Sequence, residues 1–208
     1  MSVIRRKVTT KPEEILDFWF GDALTSPEHV GVRLKLWFSR NEEFDRDIQR
    51  RFGALPKLAA RGELDSWRGD AASALALVLA VDQFPRNIFR NSARAFEFDP
   101  LAREVALEAI AQGFDKTVHP LQASFFYLPL EHAEDNGLQE HSVKLFGHLT
   151  VQAPAELRSM FESFDSYAKR HRDVIQRFGR FPHRNSILNR PSTPAEIVYL
   201  ESGGDRFG

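Results

Sequence analysis

Anion-binding side chains are concentrated between residues 177 and 190. The segment contains Arg177, Arg180, Arg184 and Arg190, with His183, Asn185 and Asn189 between them. Gly179 and Pro182 are predicted to end the preceding helix, so these polar groups lie on a loop. Arginines held in fixed positions bind carboxylate or phosphate groups through paired hydrogen bonds. The segment therefore predicts a site for a small anionic ligand.

Asp82 is the second candidate, because it lies on an apolar face of a helix predicted over residues 71–81 and ended by Pro85. An isolated buried carboxylate is costly, so Asp82 must be paired, neutralised or in contact with a ligand. Arg86 and Asn87 follow it directly and join the candidate ligand-binding residues. A plain ion pair with Arg86, or with an arginine from the loop, accounts for Asp82 equally well.

Two histidines are also predicted to point inward. His132 lies beside Glu131 and Glu134 on a mostly apolar helix, and His171 interrupts the apolar stripe of a long helix. A neutral imidazole oriented by Asp82 or Glu134 is a candidate general acid–base. The alternative is that each histidine is a hydrogen-bonded core residue.

The composition narrows the function classes. The chain has 208 residues, a net charge of −1 and no cysteine, which excludes disulfides, thiolate catalysis and cysteine-ligated metal sites. No His-Glu-x-x-His, Gly-x-Ser-x-Gly or P-loop pattern occurs, so we expect neither a metal nor a cofactor. Basic residues crowd positions 169–190, but the chain as a whole is not basic, so nucleic acid is not the expected partner. No apolar run is long enough to span a bilayer, and we expect a cytoplasmic protein.

Helix signals account for nearly the whole chain, and no alternating strand pattern occurs. We expect about eight helices in an antiparallel array that forms one domain over residues 1–208, with residues 1–9 flexible. The predicted helix boundaries are a Thr10 to Glu13 capping box, N-caps at Asn41 and Asp70, a break at Gly53 and Pro56, a longest helix from Pro154 to Phe178, and a second capping box from Thr193 to Glu196.

Three blocks make the chain recognisable: Asp82-Gln-Phe-Pro-Arg-Asn-Ile-Phe-Arg90, Phe126-Tyr-Leu-Pro-Leu-Glu-His-Ala-Glu134 and Arg177-Phe-Gly-Arg-Phe-Pro-His-Arg-Asn185. With them the chain resembles the bacterial DUF924 family of unknown function. The resemblance implies an all-α, tetratricopeptide-like fold and no established activity. Two positions depart from the family pattern. Ala123 stands where relatives tend to have arginine, which removes one possible ligand contact, and Asn189 replaces a glycine but tolerates the same left-handed backbone.

Three hypotheses follow. In the first, the polar segments converge on an inner surface that binds a small anion, with acid–base chemistry at His132 or His171. In the second, the protein is an interaction module that holds a peptide, and its terminal carboxylate, in a groove with exposed aromatic residues such as Trp19, Trp37, Phe38 and Trp67. In the third, the arginines only tie the loop to Asp82, Glu131 and Glu134.

Overall fold

The computed structural model describes residues 9–207, apart from the side chain of Pro27. All regular elements in this range are helices, which confirms the all-α prediction. The α-helices are α1 Pro12–Phe20, α2 Pro27–Phe38, α3 Glu42–Phe52, α4 Leu55–Ala60, α5 Ala71–Val78, α6 Phe84–Ile88, α7 Asp99–Ala111, α8 Pro120–Glu131, α9 Asn136–Gln152, α10 Arg158–Phe178 and α11 Pro194–Glu201. The count exceeds the expected eight by three, because α2 was not predicted from the sequence and α4 and α6 were not recognised as separate helices. Apart from Thr9, the segment expected to be flexible lies outside the described residues.

Most predicted helix boundaries are confirmed. Asn41, Asp70 and Thr193 each accept a backbone N–H of the first turn, at 2.9 Å, 3.0 Å and 3.3 Å. Two boundaries differ. At the first helix, Glu14 accepts the Lys11 N–H at 3.4 Å, so the capping contact lies one residue later than predicted. α10 is the longest helix, but it begins at Arg158, after a short 3-10 turn.

Pro85 does not end the central helix, contrary to the prediction. α5 and α6 are joined by a π-helical segment, Leu79–Gln83, in which the Phe84 N–H bonds to the Leu79 carbonyl. Inside a regular α-helix, the proline ring clashes with the preceding turn and its nitrogen has no hydrogen to donate. A wider π turn relieves both problems. The helix therefore continues through Pro85 and carries Asp82 in the π turn itself.

The α5 helix lies at the centre of the packing, where its apolar side chains contact α1, α7 and α8. From α7 to α10 each helix packs on the next through a short connection, as expected for an antiparallel array. None of the helices between residues 9 and 207 combines the length and hydropathy that a bilayer crossing requires. The tetratricopeptide-like arrangement implied by the resemblance stays a prediction.

An aromatic cluster fills the core between α1, α2 and α8. The rings of Trp19 and Trp37 stack with centroids 6.0 Å apart, and the Trp37 Nε1–H donates to the Trp19 carbonyl at 3.0 Å. Phe125 packs edge-on against both, at 5.8 Å and 4.9 Å. Trp19 and Trp37 are buried, so they do not line an exposed groove. Phe38, at the rim of the same cluster, is 51% exposed.

Phe125 and Phe38 provide a matched test of this core. We expect Phe125→Ala to lower the free energy of unfolding by about 3–5 kcal/mol, because it removes a fully buried ring and leaves a cavity. Phe38→Ala should cost about 1 kcal/mol or less, because half of that ring already contacts water. Urea unfolding monitored by circular dichroism measures both values. Equal losses would contradict the packing described here.

Candidate functional site

The three polar segments of the sequence meet in the structure. Asp82, from the π turn, lies 2.9 Å from the Nδ1 atom of His132, which directly follows α8. Arg184, from the loop after α10, donates from Nη1 to the His132 carbonyl oxygen at 3.0 Å. We call the charged cluster the set Asp82, Arg86, Asp99, His132, Glu134, Arg184 and Arg190. The predicted convergence of distant residues is therefore observed.

The carboxylate of Asp82 is 1% exposed and has three partners. It accepts from the Gln83 side-chain amide at 2.6 Å, faces Nδ1 of His132, and lies 3.2 Å from Nη1 of Arg86. Burial alone would raise the pKa of Asp82, but Arg86 and His132 outweigh it and lower that pKa well below its usual value. Asp82 is therefore ionised, and the sequence argument that it needs partners is correct.

His132 is a neutral imidazole with a fixed tautomer. Burial and the positive charge of Arg86 lower its pKa, and together they exceed the opposing effect of Asp82. Because an ionised carboxylate only accepts hydrogen bonds, Nδ1 of His132 carries the proton and Nε2 carries the lone pair. The side chain is 15% exposed, so an edge of the ring remains open to solvent. A ring held in this way is suited to accept a proton.

Arg86 has its own carboxylate partner, which the sequence argument missed. It donates from both terminal nitrogens to Asp99, at 2.9 Å and 3.0 Å. Nη1 also donates to the Asp82 backbone carbonyl at 2.8 Å. Asp99 begins α7, and its sequence context, Asp99-Pro100, indicates only a helix start. Nothing in that dipeptide could have identified the carboxylate as an ion-pair partner.

Arg184 differs from the other arginines of the cluster because no carboxylate binds it closely. The shortest distance from its guanidinium to a carboxylate of the described residues is 3.9 Å, to Asp99. Its Nε atom is buried without a hydrogen-bond partner among the described residues. The planar group lies between the rings of Phe96 and Phe181, 4.6 Å and 4.4 Å from their centroids. Burial, and then repulsion by Arg86, lower the pKa of Arg184 to about 10, so the group stays charged at neutral pH.

Glu134 and Arg190 attach the loop to the helical body. Arg190 donates to both carboxylate oxygens of Glu134, at 2.6 Å and 2.8 Å, and Glu134 also accepts the Phe181 N–H at 2.8 Å. Burial favours the neutral acid, but these donors lower the pKa of Glu134 overall. Asn185 accepts from Nε of Arg190 at 3.1 Å. Asn189 has a φ of 52°, which confirms that asparagine adopts the left-handed backbone there.

His171 lies on α10 in a separate buried pair with Glu131. Its Nδ1–H donates to the Tyr167 carbonyl at 2.9 Å, and Oε1 of Glu131 lies 3.3 Å from the same nitrogen. Burial lowers the pKa of His171 well below its usual value. Burial, and then repulsion by Asp82, raise the pKa of Glu131 to about 8. At neutral pH this pair is therefore a neutral imidazole beside a mostly protonated carboxyl group.

His183 borders the cluster from the loop. Both of its ring nitrogens are buried without a hydrogen-bond partner among the described residues. Burial and the neighbouring charge of Arg184 lower its pKa to about 4. The backbone of Phe207 beside the ring acts in the opposite direction and raises that pKa.

Three predicted ligand-binding residues have partners outside the charged cluster. Asn87 donates to Asp45 at 2.8 Å, and Arg180 donates from Nε to Glu196 at 2.7 Å. Arg177 is exposed and lies over the rings of Phe178 and Tyr199. Arg180 therefore holds α11 rather than contributing to the cluster, and Glu196 is both its partner and a member of the capping box.

Ala123, where relatives tend to have arginine, lies away from the candidate site. Its side chain is 1% exposed and packs in the main apolar core, not in the charged cluster.

Within the described part of the chain, no group of three or more histidine or acidic side chains has the spacing of a metal site.

Comparison with known proteins identifies relatives without assigning an activity. A family model described as "Bacterial protein of unknown function (DUF924)" matches residues 15–204. The chain is similar to a solved protein of unknown function from Agrobacterium tumefaciens, with 41% identity and a TM-score of 0.77 over 92% of this chain and 97% of that one. No curated protein matches.

Glu131 and Glu134 should respond to pH in opposite directions. For Glu131, the folded pKa of about 8 lies above the ordinary value of 4.5. Between these values the folded state holds a proton that the unfolded state has lost, so the free energy of unfolding falls as pH rises. Between pH 5 and pH 8, the free energy of unfolding of Glu131→Gln should rise relative to that of the wild type by roughly 3 kcal/mol, because the amide does not titrate.

Glu134→Gln is the control with the opposite sign. The folded pKa of Glu134 is lowered, so its contribution to stability is present above the ordinary pKa and is lost as pH falls through the folded value. The deficit of this variant should therefore be largest near neutral pH and should shrink toward acidic pH. Urea unfolding across the pH range measures both trends. If the two variants followed the same trend, the buried protonated carboxyl would not be Glu131.

Proposed function

We propose a function from the site itself, because this chain belongs to the DUF924 family of bacterial proteins, whose description assigns none. The protein binds a small anionic ligand, a carboxylate or a phosphate, at Arg184 and carries out proton transfer on it through His132. Asp82 orients the imidazole. The observation that carries this proposal is the 2.9 Å contact between the ionised Asp82 and the neutral, partly exposed His132.

The location of the pair supports a chemical role. Short π segments inside α-helices occur frequently at functional sites, and Asp82 lies within one. With Nδ1–H donated to Asp82, Nε2 of His132 can take a proton from a bound ligand, and the resulting imidazolium is stabilised by the adjacent carboxylate.

Arg184 supports the anionic class of ligand. Arg86 and Arg190 are each held by two hydrogen bonds to one carboxylate. Among the described residues Arg184 donates one hydrogen bond, to a neutral carbonyl oxygen, and its nearest carboxylate, Asp99, lies 3.9 Å away and is hydrogen-bonded by Arg86 instead. A guanidinium has five N–H donors, so this group retains the capacity to bind an anion beside His132.

The peptide-binding alternative has less support. It requires exposed aromatic residues along a groove, but Trp19 and Trp37 are buried in the core. Phe38 remains exposed, and Trp67 is half-buried. We therefore favour the small anion.

Binding of an anion can be tested with malonate, phosphate and acetate. We expect at least one of them to raise the melting temperature of the wild-type protein and to bind Arg184→Gln about tenfold or more weakly, because a charge-assisted hydrogen bond is lost. Calorimetric titration gives the affinities. Arg94→Gln is the matched control, since Arg94 is exposed and stacks on Phe89, which is not a member of the charged cluster. The proposal would be contradicted if none of the three anions stabilised the protein, or if both variants lost the same anion affinity.

Reactivity of His132 can be tested with diethyl pyrocarbonate, which acylates neutral imidazoles. We expect His132 to be modified and the more deeply buried His171 to be protected, because their side chains are 15% and 4% exposed. Because the pKa of His132 is lowered, its modification rate should persist to a lower pH than that of free N-acetylhistidine. Mass spectrometry locates the modification. An anion bound at Arg184 should slow the modification of His132. A modification rate that a bound anion does not change would show that Arg184 and His132 do not form one site.

A further inference from the structure

The segment from Ser202 to Phe207 lies over His171 of α10 and His183 of the loop. The ring of Phe207 stacks on His171 with centroids 3.5 Å apart and contacts Phe181 and His183 edge-on, at 5.8 Å and 5.7 Å. Two residues earlier, the carboxylate of Asp205 pairs with Arg170. One short segment thus places an aromatic ring and a carboxylate side by side. We call the surface that they cover, formed by Arg170, His171, Phe181 and His183, the Phe207 seat.

The turn that leads to the Phe207 seat is specific. Gly203 has a φ of 86°, which other residues adopt only with strain. A Cβ atom on Gly204 would lie 2.5 Å from the Tyr199 carbonyl oxygen, so a side chain does not fit there. The Asp205 N–H donates to the Tyr199 hydroxyl at 2.7 Å. The path of this segment is therefore defined by the sequence and directs Phe207 onto His171.

The contacts that hold the segment are weak compared with those inside the cluster. The side chains of Arg170 and Asp205 are 45% and 25% exposed, and a solvent-exposed ion pair contributes little to stability. Phe207 is itself only half-buried. The residues beneath it, His171 and Phe181, are 3% and 0% exposed with Phe207 in place, so its ring covers them. The segment follows α11 and belongs to none of the helices beneath it.

We propose that the Phe207 seat is a binding site for a small aromatic acid, whose ring stacks on His171 and whose carboxylate pairs with Arg170. Asp205 and Phe207 occupy the same two positions and act as a built-in competitor, so the segment must leave when the ligand binds. This proposal does not depend on proton transfer at His132. Binding at the seat and binding of malonate at Arg184 are measured separately, so failure of one leaves the other standing.

The test uses 3-phenylpropionate, with 3-phenylpropan-1-ol and propionate as probes that lack the charge or the ring. In calorimetric titrations, Phe207→Ala should bind 3-phenylpropionate about tenfold more tightly than wild type, because the competing ring is removed. Arg170→Gln should bind it about tenfold more weakly than wild type, because the charged partner of the carboxylate is lost. Arg172→Gln is the matched control on the same helix, since Arg172 pairs with Asp173 and not with the segment from Ser202 to Phe207.

A second measurement follows the segment in the wild-type protein. Arg206 is exposed, so trypsin can cleave the bond between Arg206 and Phe207 once the segment leaves the seat. We expect 3-phenylpropionate to accelerate this cleavage and propionate to leave it unchanged. If Phe207→Ala bound the alcohol as tightly as the acid, the probe would only be filling a cavity and the proposal would be wrong. Binding of the acid to wild type without faster cleavage would also overturn it.

Discussion

The charge of Asp82, buried in the central helix, is the constraint on which the rest of the site depends. A carboxylate that is 1% exposed is tolerated only if nearby donors replace the water it has lost. Here those donors are Gln83, Arg86 and His132. Arg86 is itself buried enough to need a second acid, which Asp99 supplies from α7. Each buried charge thus requires the next, and the requirement brings together α6, α7 and the end of α8.

The loop after α10 extends the same principle with one exception. Arg190 and Glu134 neutralise each other and fix the loop through the Phe181 N–H, while Arg180 fixes α11 through Glu196. The pairing of Arg190 with Glu134 is one of the ties that the third hypothesis named, whereas Glu196 was not among its predicted partners. Arg184 departs from this pattern, because it enters the cluster without a carboxylate of its own. A structural arginine and a ligand-binding arginine are distinguished here by their partners, since both kinds lie in the same loop.

The sequence predicted the all-α class and most helix boundaries, because caps and the 3.6-residue period are local signals. It also predicted that Asp82, His132 and Arg184 converge, since each is a polar residue on an apolar background. It did not identify Asp99, whose ion pair with Arg86 joins residues 13 positions apart and has no local signature. It was wrong about Pro85, because the usual rule assumes an α-helical register and the π turn removes the clash. It grouped Asn87 and Arg177 with the site from sequence proximity alone, whereas their side chains point to other partners.

The π turn has an evolutionary consequence for this chain. A π turn holds one residue more than the α turn it replaces, so a single-codon deletion between Leu79 and Gln83 would restore a regular helix. The residues on either side of the deletion would keep their relative orientation, because the residue removed is the extra one of the π turn. The ring of Pro85 would then meet the carbonyl group four residues before it, which is the clash that the π turn relieves. Substitutions can therefore alter the chemistry of this site gradually, whereas shortening this segment also requires a change at Pro85.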